Sequence, residues 1–311
     1  MGGCVEGESE MIYAHNPMQK KSVAILGATG MLGNALYAGL KDAYELILVV
    51  RNTKKVPLLE RKYGYTAEHQ IIEFDAAKSY EDFLSNKGYP DGHLLRLFDS
   101  LKDADYVINA IGVTIPFSSE NPALTFFING VLPHLLAAHF GEHLIHITTD
   151  CVYDGKTGFP YDENSPKSPP DLYGLSKSLG EPTNCLTLRT SIVGRELEGF
   201  TGLLEWFLTQ KGKAVKGFAN HLWNGITTKE FAKICGKIMS DPSKYHKIGL
   251  YHVFSTTVSK YEMLLVFQKK FGIDCKIVPE YENKLNRTLS TVYKFNNLFK
   301  ILSFEEMIQE L

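Results

Sequence analysis

The sequence predicts an α/β fold: a doubly wound parallel sheet, followed by a smaller mixed α/β region. Three observations carry this. Short apolar runs alternate with helical patterns, as in successive βαβ units. The runs are apolar throughout rather than alternating, as in strands covered on both faces. A glycine-rich turn joins the first run to the first helical pattern.

The elements follow in order. "SVAIL" (22–26) reads as a buried strand and 31–40 as a helix. "ELILVV" (45–50), "HQIIEF" (69–74), "ADYVINA" (104–110), "HLIHITT" (143–149) and "CLTLRTS" (185–191) read as further strands with helical stretches between them. Beyond about 192 the rhythm changes. "GLLEWFLTQ", "TTKEFAKICGKIM" and "SKYEMLLVFQKKFG" look helical, and "GLYHVFS" looks like a strand. The expected plan is a leader over 1–20, a nucleotide-binding domain over 21–190 and a substrate domain over 191–311, with some later segments returning to the first domain.

Composition sets bounds. The chain has 311 residues, 44% apolar and 22% charged, with a formal net charge of −2. Global charge therefore points to neither nucleic acid nor membrane, and an anionic ligand needs local cations. No apolar run reaches the ~18–20 residues of a membrane span. The first 20 residues carry acids where a signal peptide is basic, and Glu6 stands where a myristoylation signal wants Ser or Thr. They read as a disordered leader. The five cysteines are scattered without a CxxC, so neither a disulfide framework nor a metal site is expected, and the compartment reads as cytoplasmic. His134, His139, His143 and His146 lack zinc-site spacing.

"VAILGATGMLGNAL" holds Gly27, Gly30 and Gly33 between a strand and a helix. That context suits a Rossmann-type dinucleotide site, with the pyrophosphate over the turn and the helix N-terminus. An NAD site usually ends its second strand with an acid for the ribose 2′-hydroxyl. Here that strand ends "VVRNTKK". Arg51, with Lys54 and Lys55 behind it, would welcome a 2′-phosphate. NADP(H) is therefore preferred and NAD(H) is the second choice, unless these are solvated loop charges. Asp75 either accepts from the adenine amino group or simply caps the surface.

"TTDCVYDG" and "YGLSKSLGE" carry the chemistry. Tyrosine is a poor acid–base group, with a reference pKa near 10, and a neighbouring lysine ammonium should lower it. Tyr173 and Lys177 share one face of a helix. Thr149 ends a parallel strand, where such sheets bind ligands. The three suit a carbonyl: Thr149 and Tyr173 hold its oxygen, Tyr173 supplies the proton, and Lys177 reaches the cofactor ribose. Pro133 offers no N–H to the carbonyl of Asn129, which would be left free for a water.

With these motifs in hand, the chain resembles the extended short-chain dehydrogenases/reductases, and among them the dTDP-4-dehydrorhamnose reductase-like sugar-nucleotide reductases. "GATGMLG", "VINAIG", "TTDCVYDG", "YGLSKSLGE", "LRTSIVG" and "WNGITTKEFAK" carry the resemblance in family order over nearly the whole chain. It implies a catalytic trio of Thr149, Tyr173 and Lys177, with Asn129 in a proton relay behind the lysine. It also implies cofactor contacts from Gly27, Thr29, Gly30, Met31, Leu32 and Gly33, and from Asn109, Ala110 and Gly112. A nucleotide-sugar substrate would meet Thr149, Tyr173, Arg195 and Arg287, and a homodimer is an open expectation.

The chain also departs from its relatives. Dehydratases of this superfamily place Asp-Glu after the threonine, whereas Asp150-Cys151 stands here. Ile192 replaces a tryptophan common in rhamnose-type reductases. Lys216 is a further candidate cation, and Trp206 and Trp223 are candidate base-stacking residues, with core packing the better reading of Trp206. The expected function is NADPH-dependent reduction of a nucleotide-linked 4-keto-6-deoxy sugar. The rivals are an epimerase or dehydratase, and a non-catalytic, cofactor-binding regulatory subunit.

Overall fold

The computed structural model describes residues 20–64, 69–90 and 92–311. The leader expected over 1–20 lies outside the described residues up to position 19.

Seven parallel strands form the main sheet. In chain order the first six are β1 (Ser22–Leu26), β2 (Glu45–Val50), β3 (His69–Glu73), β4 (Tyr106–Asn109), β5 (Leu144–Thr149) and β6 (Leu186–Thr190). The spatial order is β6-β5-β4-β1-β2-β3, and Gly249–His252 pairs in parallel outside β6. The order reverses at β1, which lies between β4 and β2. A parallel sheet opens a crevice at the carboxyl ends of its strands at such a point.

The inner strands carry branched apolar side chains and are fully buried, because helices cover both faces. β3 departs from the uniform pattern. It is the margin of the sheet, and Ile71 is 43% exposed. Helix α1 (Met31–Leu40) packs on one face against Thr228–Ser240 from the C-terminal part, sharing a core of Leu36, Leu40, Phe231 and Cys235. A strand and a helix from beyond 192 thus return to the first sheet. The remaining strands are short pairs or triplets, such as Ala214–Phe218 beside Lys276–Glu280.

Helix Pro122–Phe126, a π-helical segment Phe127–Val131 and helix Leu132–Phe140 run on as one stretch. Contrary to the sequence expectation, Pro122–His143 is long and apolar enough to span a membrane by length and composition alone. Its polar Asn, Pro and His residues hide this from a search for uninterrupted apolar runs. With much of its length buried and Phe127, Leu132 and Leu136 in the core beside β4 and β5, it reads as a core helix.

Candidate active site

The glycine turn closes tightly under β1. Gly27 has φ +81°, and its N–H donates to the Val49 carbonyl at 2.9 Å. A Cβ on Gly33 would lie 2.1 Å from the Gly27 carbonyl oxygen, so α1 can approach the turn only with glycine there. Gly30 is exposed at the start of α1, and its N–H donates back to Gly27.

A cleft of about 530 Å³ opens above this turn. It is lined by Gly27, Thr29, Gly30, Arg51, Asp75, Ala110 and Gly112, together with Val113, Phe117 and Ile128. These residues fit a dinucleotide: a bare glycine cradle, apolar walls and a cation at the end of β2. Asp75 caps helix Ala76–Ser85, accepting from the Ala77 N–H at 2.9 Å. Met31 lines a neighbouring pocket, and Leu32 and Gly33 are buried beneath the turn. Lys55 is not free for a ligand here, because it pairs with Glu198 at 2.6 Å. A larger hollow, about 770 Å³, lies at the amino ends of the strands around Lys21, Glu45 and Asp105. That is the wrong end of the sheet for a ligand, and none of the trio lines it.

Asn109 lies under the cleft floor rather than in it. It is 1% exposed, and its side-chain amide meets His146 Nδ1 at 3.1 Å. His146 Nε2 lies 3.0 Å from the Gly180 carbonyl, which can only accept, so Nε2 carries the proton and Nδ1 accepts from Asn109. Burial holds His146 well below the usual histidine range, so it is neutral.

Thr149, Tyr173 and Lys177 meet at the carboxyl end of β5. Thr149 Oγ1 accepts from the Cys151 N–H and donates to Asp150 Oδ1, both at 3.2 Å. Tyr173 and Lys177 lie one turn apart on helix Leu172–Leu179, which Asp171 caps by accepting from the Gly174 N–H at 2.7 Å. A Cβ on Gly174 would sit 2.2 Å from the Cys151 carbonyl oxygen. That contact brings Tyr173 beside Thr149, whose hydroxyl acts on the phenol.

Two expectations change here. Tyr173 is not lowered by Lys177. Desolvation pushes its hydroxyl above the ordinary tyrosine value, and nearby Cys151 and Asp150 add to this. Lys177 Nζ instead donates to the Ile147 carbonyl at 3.0 Å, and burial lowers the ammonium to about 8. The result is a neutral phenol beside an easily deprotonated lysine.

Asn129 is fully buried in the π-helical segment. Its Oδ1 accepts from the Val113 N–H at 2.8 Å, and its Nδ2 donates to the Val113 carbonyl at 2.9 Å and to Ser176 Oγ at 3.1 Å. It therefore staples the loop after β4 to the helix of Tyr173 and Lys177. Its carbonyl oxygen lies against the backbone of Gly180 rather than facing open space. A Cβ on Gly112 would lie 3.4 Å from Asn129 Oδ1 and 3.9 Å from Lys177 Nζ, so the dinucleotide cleft and the lysine adjoin.

Of the candidate substrate cations, Arg287 is near the trio. Its Nε donates to the Tyr153 carbonyl at 3.0 Å, and its Nη1 to Cys151 Sγ at 3.4 Å. Arg195 is engaged elsewhere: its Nε pairs with buried Glu205 at 2.7 Å, and its guanidinium lies over Phe271. Lys216 is exposed on a short strand. Trp223 is buried against Phe304 with the Lys260 ammonium over its ring, so it is not open to stack on a nucleotide base, whereas Trp206 is 39% exposed, contrary to the core reading.

Sequence reasoning missed four residues. Ser176 and His146 support the trio from behind. Asp150, whose carboxyl is pushed up by burial, lies beside Thr149, Ser191, Arg287 and Lys260. Lys260 closes the far wall of a small pocket with Met31, Ser191 and Trp223. Asp150 and Ser176 stand inside the two motifs, where spacing reveals no role for them, and His146 and Lys260 stand outside both. Lys260 lies 83 residues beyond Lys177 in the chain and is placed only by the tertiary fold.

Comparison with known proteins agrees with this fold. The family model for the RmlD substrate binding domain matches residues 21–291. The spore coat polysaccharide biosynthesis protein SpsK of Bacillus subtilis is 28% identical over 285 residues, covering 87% of this chain and 88% of that protein. A dTDP-4-dehydrorhamnose reductase from Bacillus anthracis, solved in complex with NADP, superposes with a TM-score of 0.66 at 17% identity, covering 94% of this chain and 98% of that one. A UDP-N-acetylglucosamine 4-epimerase from Methanobrevibacter ruminantium, solved with UDP-N-acetylmuramic acid, superposes at 0.72 with 18% identity, covering 94% and 97%. With the family model spanning most of its length, the chain belongs to the RmlD family of extended short-chain dehydrogenases/reductases.

Proposed function

We propose that the protein is a cytoplasmic, NADPH-dependent reductase of a nucleotide-linked 4-keto-6-deoxy sugar, which supplies a deoxysugar for polysaccharide assembly. The observation that carries this reading is the convergence of Thr149, Tyr173 and Lys177 beside the glycine-turn cleft. The relative captured with NADP and the polysaccharide biosynthesis relative support the cofactor and the product class.

Gly27, Gly30 and the start of α1 would hold the diphosphate, Arg51 a 2′-phosphate, and Lys177 the nicotinamide ribose. The bound cofactor supplies the hydride. Thr149 and Tyr173 hold the carbonyl oxygen by hydrogen bonds. Tyr173 has its hydroxyl proton at neutral pH, because desolvation opposes the phenolate. It can therefore give that proton to the oxygen as negative charge builds there. Asn129 and Ser176 fix the helix so that both groups stay aimed. Arg287, beside Cys151, is the cation set to meet the substrate diphosphate.

A second reading, epimerisation or dehydration, is favoured by the TM-score of 0.72 to an epimerase. Water elimination needs a base where Cys151 stands. Burial pushes that thiol up to about 12, so it stays protonated at neutral pH. Net NADPH consumption with a panel of nucleotide 4-keto sugars is the test. Stoichiometric oxidation supports the reductase. Turnover without net oxidation supports the second reading. Cofactor binding without turnover of any sugar supports a regulatory subunit.

A further inference from the structure

Lys260 opens helix Lys260–Phe271, where Ser259 and Glu262 form a reciprocal cap. Its ammonium stands 5.3 Å from the centre of the Trp223 ring. Among the described residues it forms no hydrogen bond and has no carboxylate within 4 Å. Asp150 is close enough to act on it through space but does not pair with it, and Arg287 adds further positive charge. Desolvation brings the ammonium down to about 8. A lysine left in this state keeps a charge where burial disfavours one.

The pocket it faces is about 90 Å³ and is lined by Met31, Ser191, Gly194, Leu203 and Trp223. Met31 directly follows Gly30 but lines this pocket rather than the cleft that holds Arg51, and Ser191 lies beside Asp150, the neighbour of Thr149. A dinucleotide with its adenosine end by Arg51 and Asp75 and its diphosphate over Gly30 would therefore turn its nicotinamide toward this pocket. The nicotinamide ring is cationic when oxidised and neutral when reduced.

We propose that Lys260 sets the preference for the reduced over the oxidised cofactor: its ammonium, fixed on Trp223 in the wall of the nicotinamide pocket, repels the oxidised ring and leaves the reduced ring unpenalised. This rests on the cofactor reading given above. The charge favours cofactor exchange after each turnover, because it loosens the spent cofactor and not the fresh one. Two unit charges a few ångströms apart at a protein's effective dielectric interact strongly enough for about a tenfold effect on the ratio of affinities.

The test is binding rather than turnover. Dissociation constants of NADPH and of NADP+ are measured by titration calorimetry for the intact protein, Lys260→Met and Lys260→Arg. Methionine keeps the apolar stem on Trp223, and arginine keeps the charge. The ratio of the NADP+ constant to the NADPH constant should fall about tenfold in Lys260→Met and hold in Lys260→Arg. If Lys260→Met does not fold, Lys260→Gln takes its place. A ratio unchanged on removing the charge overturns this inference and leaves the cofactor reading intact. If neither cofactor form binds the intact protein, both readings fall.

Discussion

At the scale of the residue, the site sets a phenol that keeps its proton beside a lysine that gives its own up easily. Tyr173→Phe deletes only the hydroxyl. Turnover should fall roughly 10²–10⁴-fold, the range for a lost positioned acid, with NADPH affinity unchanged by calorimetry. Lys177→Met should weaken both, because that ammonium serves ribose and helix together. Arg51 follows β2, exposed at the cleft edge, and among the described residues it forms no ion pair. Arg51→Asp should reverse the preference for NADPH over NADH, read by fluorescence titration of both, and an unchanged preference would remove Arg51 from the site. Lys260 carries a stability consequence. Its folded value is about 8 against 10.5 ordinarily. Below pH 8 both states hold the proton and burial charges the folded state a penalty, so Lys260→Met should melt at the higher temperature at pH 7. Between 8 and 10.5 only the unfolded chain keeps that proton. Wild-type stability then rises with pH, and the gap in melting temperature should close. The glycine turn and the trio were legible in the sequence because each is a local spacing with a chemical reason. Arg195 misled because its partner, Glu205, lies on the next helix, where no spacing rule announces it. Lys177 misled in a different way: its one-turn spacing from Tyr173 is real, but burial outweighs its charge in setting the phenol.

At the scale of the element, the helix Leu172–Leu179 is the part on which the site turns. It is held in front by the contact of Gly174 with the Cys151 backbone and behind by the bond from Asn129 to Ser176. It is followed by Glu181, whose carboxylate takes Arg189 in a two-point bond at 2.9 and 2.6 Å. Gly174→Ala forces its Cβ against a backbone oxygen, which cannot rotate away. The helix must back off, and Tyr173 with it. Displacements on the ångström scale cost about 10²-fold in reactions that depend on alignment. Turnover should fall by that order while NADPH binding, centred on the glycine turn, falls little. An equal loss of both would mean that the helix serves the cofactor first. The strands of the main sheet were legible because apolar runs of that length have few other uses. The two- and three-residue strands beyond 192 were not, since they carry too few residues to show a period. Asn129's role also escaped, since its partners Val113 and Ser176 lie far from it in the chain.

At the scale of the whole molecule, the C-terminal part is a wall of the site as well as a separate region. Gly249–His252 extends the sheet, Thr228–Ser240 covers α1, and Lys260 and Arg287 reach back to the residues around Thr149. Lys55 meets Glu198, and the Asn34 side chain donates to the Arg195 carbonyl at 3.1 Å, so the first part is tied to the second. Cofactor cleft and substrate wall are thereby one construction, which the change of rhythm near 192 hinted at without revealing the contacts. The central claim is that this construction moves a hydride from cofactor to a sugar carbonyl. The most direct measurement supplies NADPH deuterated at the transferable position, with a nucleotide-linked 4-keto-6-deoxy sugar, and reads the product by mass spectrometry and NMR. The account predicts one deuterium per product, on the former carbonyl carbon, and one cofactor oxidised for each. Sugar converted without label and without loss of NADPH would contradict it.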